Sequence, residues 1–198
     1  MDAQEIEGIL TFLRAAERLK TVVRSGWTSE GERESVAEHT WRLSLMAMLL
    51  YGDDPNVDVS RLLKMCLIHD LGEAIGGDVP APAQVAEGGK AKQERRDLLQ
   101  LIHPLPTALQ REIIELWDEY EAAESREARI TKGLDKLETI LQHNQGLNPG
   151  DFDYEFNLNY GVRFTNSDPI LSALRQRLDE ETARRSTDRK SATRTEGS

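Results

Sequence analysis

The stretch CLIHDLGEAIGGDVP, residues 66–80, decides how this chain folds. Leading into it, Leu62, Leu63, Cys66 and Leu67 recur at three- and four-residue intervals, the spacing of one apolar helix face. His69 and Asp70 interrupt that face before the helical pattern ends. The glycines and prolines of GGDVPAPAQ (76–84) then forbid its continuation. An imidazole and a carboxylate at the mouth of a core need a reason, and the rest of the chain has to supply it.

Outward from this segment the pattern is helical throughout. A first helix is expected over about residues 4–23 from Ile6, Ile9, Leu10, Leu13, Ala16 and Leu19, with Gly26 ending it and RSGWTSEGERE (24–34) following as a polar loop. Ser35 and Glu38 form a capping box that opens a second helix to about Tyr51. Ser60 is placed to cap the third, which runs to about Gly72. A fourth covers about 90–103, and Thr107 with Gln110 offers a box for a fifth to about Ala123. Ser125 caps a sixth, whose Ile130, Leu134, Leu137 and Leu141 mark a buried stripe as far as Gly146. Residues 146–167 read as an extended polar and aromatic loop, and Asp168-Pro169 opens a last helix. Nothing alternates long enough to demand a sheet. The expected fold class is all-α, a single bundle of about six to seven helices.

Length allows one domain, placed at 1–182, with 183–198 as a disordered polar, basic tail. The formal charge is −10; residues 183–198 hold five bases and two acids, so the remainder carries −13. Such a body repels a nucleic-acid backbone, and a phosphate-bearing substrate needs a local positive centre to offset the field. No run approaches the roughly 18 apolar residues of a membrane span, and the acidic N-terminus does not suit a signal peptide, so no membrane partner and a cytoplasmic setting are expected. Cys66, the single cysteine, reads as buried and inert.

His39 shares the inward stripe of the second helix with Leu43 and Met46, and His69 lies seven residues after Leu62 on the apolar side of the third. Asp70 borders the same face, and Asp135 interrupts the sixth helix between Leu134 and Leu137. Singly, each has a structural explanation as a hydrogen-bonded core histidine or a solvated aspartate. Together, two imidazoles and two carboxylates from three helices are costly to bury, because the acids resist desolvation and repel one another. A divalent cation removes both penalties. Mixed nitrogen and oxygen ligation suits Mn²⁺, Co²⁺, Fe²⁺, Zn²⁺ or Ni²⁺, and four protein ligands on a six-coordinate ion leave room for water and substrate.

AEH with His39, IHDLGEAIGGDVP with His69-Asp70 and GLDKLETIL with Asp135 resemble the H…HD…D signature of HD-domain metal-dependent phosphohydrolases, over about Leu13 to Leu141. LKTVVRSGW, ESVAEHTWRLSLMAM, GGDVPAP and ELWDEYE are similar to the branch containing 5′-deoxynucleotidases. The resemblance implies removal of phosphate from deoxyribonucleoside 5′-monophosphates, with ribonucleoside 5′-monophosphates kept in the substrate class, and one divalent metal, Mg²⁺ included among the choices, on His39, His69, Asp70 and Asp135. It further implies Glu73 as the residue orienting the attacking water and Asp78 as the acid protonating the leaving 5′-oxygen. Arg24 matches an arginine that grips phosphate, a role for which Arg14, Arg33 and Arg42 compete, and Trp27 matches a tryptophan beside the nucleoside. Between Trp27 and His39 the chain is shorter than the family pattern. A homodimer is implied by the resemblance alone.

Two other readings remain open. A two-metal iron oxygenase on the same scaffold needs further nitrogen ligands, and His103, at a helix end, and His143, on a stretch expected to be exposed, are not spaced to provide them. A non-catalytic nucleotide-binding module with a structural metal has no use for Glu73 and Asp78.

Overall fold

A computed structural model describes residues 1–78 and 89–196, with side chains as far as 189. Its elements run α1 (Ala3–Ala16), a 3₁₀ turn (Glu17–Lys20), β1 (Val23–Trp27), β2 (Arg33–Ser35), α2 (Val36–Tyr51), α3 (Val59–Ile68), α4 (Glu73–Gly76), α5 (Gly89–Ile102), α6 (Thr107–Ala122), α7 (Arg126–Gln145), α8 (Glu155–Asn159), α9 (Val162–Thr165) and α10 (Pro169–Glu196). The all-α bundle is present, with seven of the described helices ten residues or longer. No helix among the described residues is long and apolar enough to cross a membrane.

Helix α2 starts where its capping box says it must: Ser35 Oγ accepts from the Glu38 N–H, and the Glu38 carboxylate accepts from the Ser35 N–H at 2.7 Å. Ser125 caps α7 through the Ala128 N–H. Helix α7 lies at the centre and contacts α2, α3, α6, α9, α10 and β1. Ile130, Leu134, Leu137 and Ile140 form its apolar stripe and pack with Leu43, Leu62, Cys66 and Leu171. Each such side chain contributes about 1.5–3 kcal/mol on burial. A second cluster joins Met65 and Ile68 of α3 to Leu98, Leu101, Ile102, Leu116 and Trp117. Helix α3 therefore lies between the two apolar clusters, and its C-terminal end is where His69 and Asp70 emerge.

The structure departs from the sequence expectations at several boundaries. The first helix stops at Ala16 with a 3₁₀ turn after it, short of the β-branched run Thr21–Val23. The expected polar loop is an antiparallel hairpin, β1 pairing with β2 between Val23 and Ser35 and between Trp27 and Arg33, with an irregularity between the two pairs. Five and three residues carrying a bulge are too few to show alternation in the sequence. Asp58, not Ser60, caps α3 by accepting from the Arg61 N–H at 3.0 Å. That helix ends at Ile68, residues 69–72 turn, and α4 starts afresh at Glu73. Thr107 lies inside α6 after Pro106 and forms no capping box. Two short helices, α8 and α9, occupy the segment expected as loop.

Helix α10 continues through the tail expected to be disordered, as far as Glu196. Its inner side is pinned by Thr182, whose hydroxyl donates to Asn144 Oδ1 at 2.8 Å, and by Arg189, which donates to the Phe152 carbonyl. The arginine-rich continuation, which also carries five serines and threonines of weaker helix propensity, then propagates from a helix already nucleated by packing. The expected break over 76–84 falls partly outside the described residues, since only 76–78 are described.

The hairpin is seated on the end of α7. Gln142 Nε2 donates to the Trp27 carbonyl, and the Leu147 N–H donates to Thr28 O at 2.9 Å. A Cβ on Gly146 would fall on the Trp27 carbonyl oxygen and crowd Gln142 O, so only glycine permits the approach. Gly146→Ala is expected to lower stability by about 1–3 kcal/mol, read as a reduced urea midpoint with unchanged slope.

Candidate metal centre

His39 sits in the first turn of α2 and is fully buried. Its Nδ1 is held by Glu138 Oε2 of α7, and its Nε2 is buried without a hydrogen-bond partner. His69, the C-cap of α3, donates from Nδ1 to the Cys66 carbonyl at 2.8 Å, and its buried Nε2 also forms no hydrogen bond. The ring centroids are 5.7 Å apart. Both imidazoles thus present the outer nitrogen to the same space.

Two carboxylates face that space. Asp70 Oδ2 lies 3.1 Å from His69 Nε2 and 4.0 Å from His39 Nε2. Asp135 Oδ1 lies 3.4 Å from His39 Nε2, while its Oδ2 accepts from Lys136 Nζ at 2.8 Å and from the Tyr120 hydroxyl at 3.2 Å. Ligand atoms of His39, His69 and Asp70 all fall within 4.8 Å of one another. The residues fit a divalent ion on chemical grounds: two orphaned nitrogens and acidic oxygens, buried, at ligating separation.

The charges are distributed unevenly. Arg24 Nη1 donates to Asp70 Oδ2 at 3.2 Å and Nη2 to Thr139 Oγ1 at 3.1 Å, with Asp135 Oδ1 3.9 Å away. Burial opposes ionisation of Asp70, but His69 and Arg24 outweigh it and hold the carboxyl below its usual range. Asp135 is buried too, and Lys136 and His39 hold it well below the usual range. Burial and Arg24 favour neutral His39, yet Glu138 and Asp135 prevail and push it up to about 9.

Glu73 is buried in α4, one turn on from Asp70, with Oε2 lacking a partner. Burial, then Asp70 and Asp78, push it up to about 10. Asp78 follows Gly77, whose φ of +78° suits glycine, and burial raises its carboxyl against the opposing Arg24. Trp27 is not drawn in with these groups: its ring lies under the guanidinium of its cross-strand neighbour Arg33, 5.4 Å from the centroid. Arg42, a competitor for the phosphate role, is committed to Glu138 and Gln142.

Glu138 and Glu34, not among the residues expected from the sequence, are both buried in the same network. Glu138 had a signal, since it lies three residues after Asp135 on the same helix face. Glu34 had none, because it sits on a strand too short to read. His143 corrects an expectation: it is buried, not exposed, with Nδ1 bonded to Asn157 Oδ1 at 2.9 Å. Helix α8, unforeseen, covers it.

Glu138 and Asp135 favour the protonated imidazole of His39, so binding of a cation at Nε2 displaces a proton there. Mn²⁺ affinity is expected to rise by up to tenfold per pH unit from pH 7 to about 9 and level off above. Calorimetric titrations at stepped pH check this, and a flat profile contradicts it.

The profile of the HD domain family matches residues 16–175. Among curated proteins, the chain is 38% identical over 140 residues to 5′-deoxynucleotidase HDDC2 of Mus musculus, covering 70% of this chain and 69% of the relative. It is 37% identical over 148 residues to 5′-deoxynucleotidase hdd1 of Schizosaccharomyces pombe, covering 72% and 74%. Among solved structures, a predicted metal-dependent phosphohydrolase from Magnetospirillum magnetotacticum MS-1 superposes with a TM-score of 0.76 at 30% identity, over 92% of this chain and 95% of that one. With a profile match across most of its length and these relatives behind it, the chain belongs to the HD domain family.

Proposed function

We propose that this protein is a phosphomonoesterase releasing phosphate from deoxyribonucleoside 5′-monophosphates, with one divalent ion held by His39, His69, Asp70 and Asp135. The observation that carries this reading is the pair of buried, partnerless Nε2 atoms turned toward Asp70 and Asp135. Relatives named 5′-deoxynucleotidase support the substrate class, and the solved relative named a metal-dependent phosphohydrolase supports the reaction.

When bound, a divalent ion would supply Lewis-acid charge for the phosphoryl oxygens and lower the pKa of a water from 15.7 toward about 7. Glu73 orients the attacking water and takes its proton. Cationic charge in the cluster acts on Glu73 in the same sense as Arg24 and Lys90, toward the carboxylate. The water oxygen forms the new P–O bond as the bond from phosphorus to the 5′-oxygen breaks. Asp78, raised by its surroundings, supplies the proton that the leaving 5′-oxygen takes up, giving a nucleoside and inorganic phosphate. Arg24, whose guanidinium lies within the cluster on Asp70 and Thr139, is the fork proposed to meet phosphoryl oxygens when substrate enters. Trp27, on the hairpin beneath Arg33 and outside the cluster, is the aromatic face proposed for base or sugar. The acidic body favours free nucleotides over a polymeric backbone, and the proposal places the enzyme in the cytoplasm.

A phosphate-release screen over ribo- and deoxyribonucleoside monophosphates with Mn²⁺, Co²⁺, Mg²⁺ and Zn²⁺ tests the reading. Release from deoxynucleotides is expected, abolished by chelation and restored by metal. Glu73→Gln and Asp78→Asn are expected to lower kcat by about 10²–10⁴-fold with metal content retained. Metal-loaded protein that leaves every deoxynucleotide intact overturns the substrate assignment.

A further inference from the structure

The two imidazoles of the centre are oriented by different means. His69 donates to a main-chain carbonyl of its own helix, the Cys66 oxygen. His39 instead leans on a carboxylate 99 residues away, Glu138, which has no exposed surface. Glu138 has both oxygens engaged: Oε2 on His39 Nδ1, and Oε1 on Arg42, whose Nε and Nη2 lie at 2.7 and 2.6 Å. Arg42 is fixed in turn by Gln142 and Gln145 of α7 and faces Glu34 at 3.7 Å.

From this arrangement we infer that Glu138 is a positioning residue for the metal centre: it fixes His39 with the proton on Nδ1 and Nε2 free to ligate, and Arg42 locks Glu138 in that orientation. The inference rests on the proposed metal-binding reading of His39. The physical reason lies in what a carboxylate can do that an amide cannot. A carboxylate accepts on both oxygens and so serves two donors, the imidazole N–H on one side and the guanidinium on the other. A glutamine of the same shape has one accepting oxygen. Turned toward His39, it sets its NH₂ against Arg42; turned toward Arg42, it sets its NH₂ against Nδ1. The second arrangement makes Nδ1 an acceptor and moves the ring proton to Nε2, where it blocks ligation. Because neither His39 nor Glu138 has exposed surface, bulk water does not reach the mismatch between them. Helix geometry makes the arrangement economical, as α7 carries Asp135 and Glu138 one turn apart and so presents ligand and orienting acid together.

A purely structural role, Glu138 as counter-ion to Arg42, makes a different prediction for a double replacement. Arg42→Met removes the competing donor, so the amide oxygen of a Glu138→Gln, Arg42→Met protein is free to accept from His39. The test is Mn²⁺ titration of the full-length wild type, Glu138→Gln and the double variant, with folding checked by circular dichroism. Glu138→Gln is expected to bind Mn²⁺ about 10–100-fold more weakly, in the range for loss of a group that orients a ligand, and the double variant to regain most of that affinity. A folded Glu138→Gln protein with wild-type affinity, or a double variant no tighter than the single one, overturns the inference. Wild-type protein that binds no Mn²⁺ removes the metal-binding reading itself along with the inference, whereas an unperturbed Glu138→Gln beside a binding wild type removes the inference alone. Nitrogen-15 NMR of histidine-labelled, Zn²⁺-loaded wild type decides the matter independently of any variant's folding. Ligation of His39 through Nε2 with a proton on Nδ1 is expected, and ligation through Nδ1 overturns it.

Discussion

Carboxylates pressed together in a protein interior repel one another, and low polarity around them strengthens the repulsion. Helices α2 and α7 and the turn after α3 nevertheless bring Asp70, Asp135 and Glu138 around a single buried imidazole, His39. Part of that charge is answered within the chain. Arg24 lies on Asp70, Lys136 on Asp135 and Arg42 on Glu138. What the chain does not answer is the pair of partnerless Nε2 atoms and the buried oxygen of Glu73. Those groups define a place for cationic charge, and the rest of the fold can be understood as the means of holding them there.

The holding is done by giving α7 two buried faces with different chemistry. One is apolar, Ile130 through Ile140, and ties the helix to α2, α3 and α10. The other is polar, with Asp135, Glu138, Thr139 and Gln142 turned toward the hairpin and the start of α2. A helix buried on both sides has little freedom to shift, so the groups on its polar face are held in fixed positions. The break in α3 complements this. By stopping at Ile68 and turning, the chain releases His69 and Asp70 from a continuous helical face and sets Glu73 at the start of a new turn.

The features legible in the sequence were those governed by near neighbours. The capping box at Ser35 and the cap at Ser125 depend on residues three apart, and both were read as they stand in the fold. The apolar stripe of α7 follows from helical spacing, as does the inward placement of His39 and His69. Errors arose where a local signal had a rival of similar strength. Asp58 and Ser60 both suit a helix start, and the chain uses the aspartate. Pro106 displaced the box at Thr107 because a helix beginning after proline leaves threonine inside its first turn. The final helix looked too polar to persist, but contacts from Thr182 and Arg189 to the body of the protein support it from one side.

By itself, the sequence determined the helical class and singled out the imidazoles and acids proposed here to hold a cation, because residue type and short spacing suffice for both. Only the tertiary structure decided how those groups are oriented. The partner of His39 lies 99 residues away and that of Arg24 on Thr139 lies 115 away. The burial of His143 depends on α8 folding over it. Such relations arise when distant segments close on one another, and no periodicity within either segment records them. The orientation of a ring and the side on which it carries its proton are properties of the neighbour it meets, and the fold chooses the neighbour.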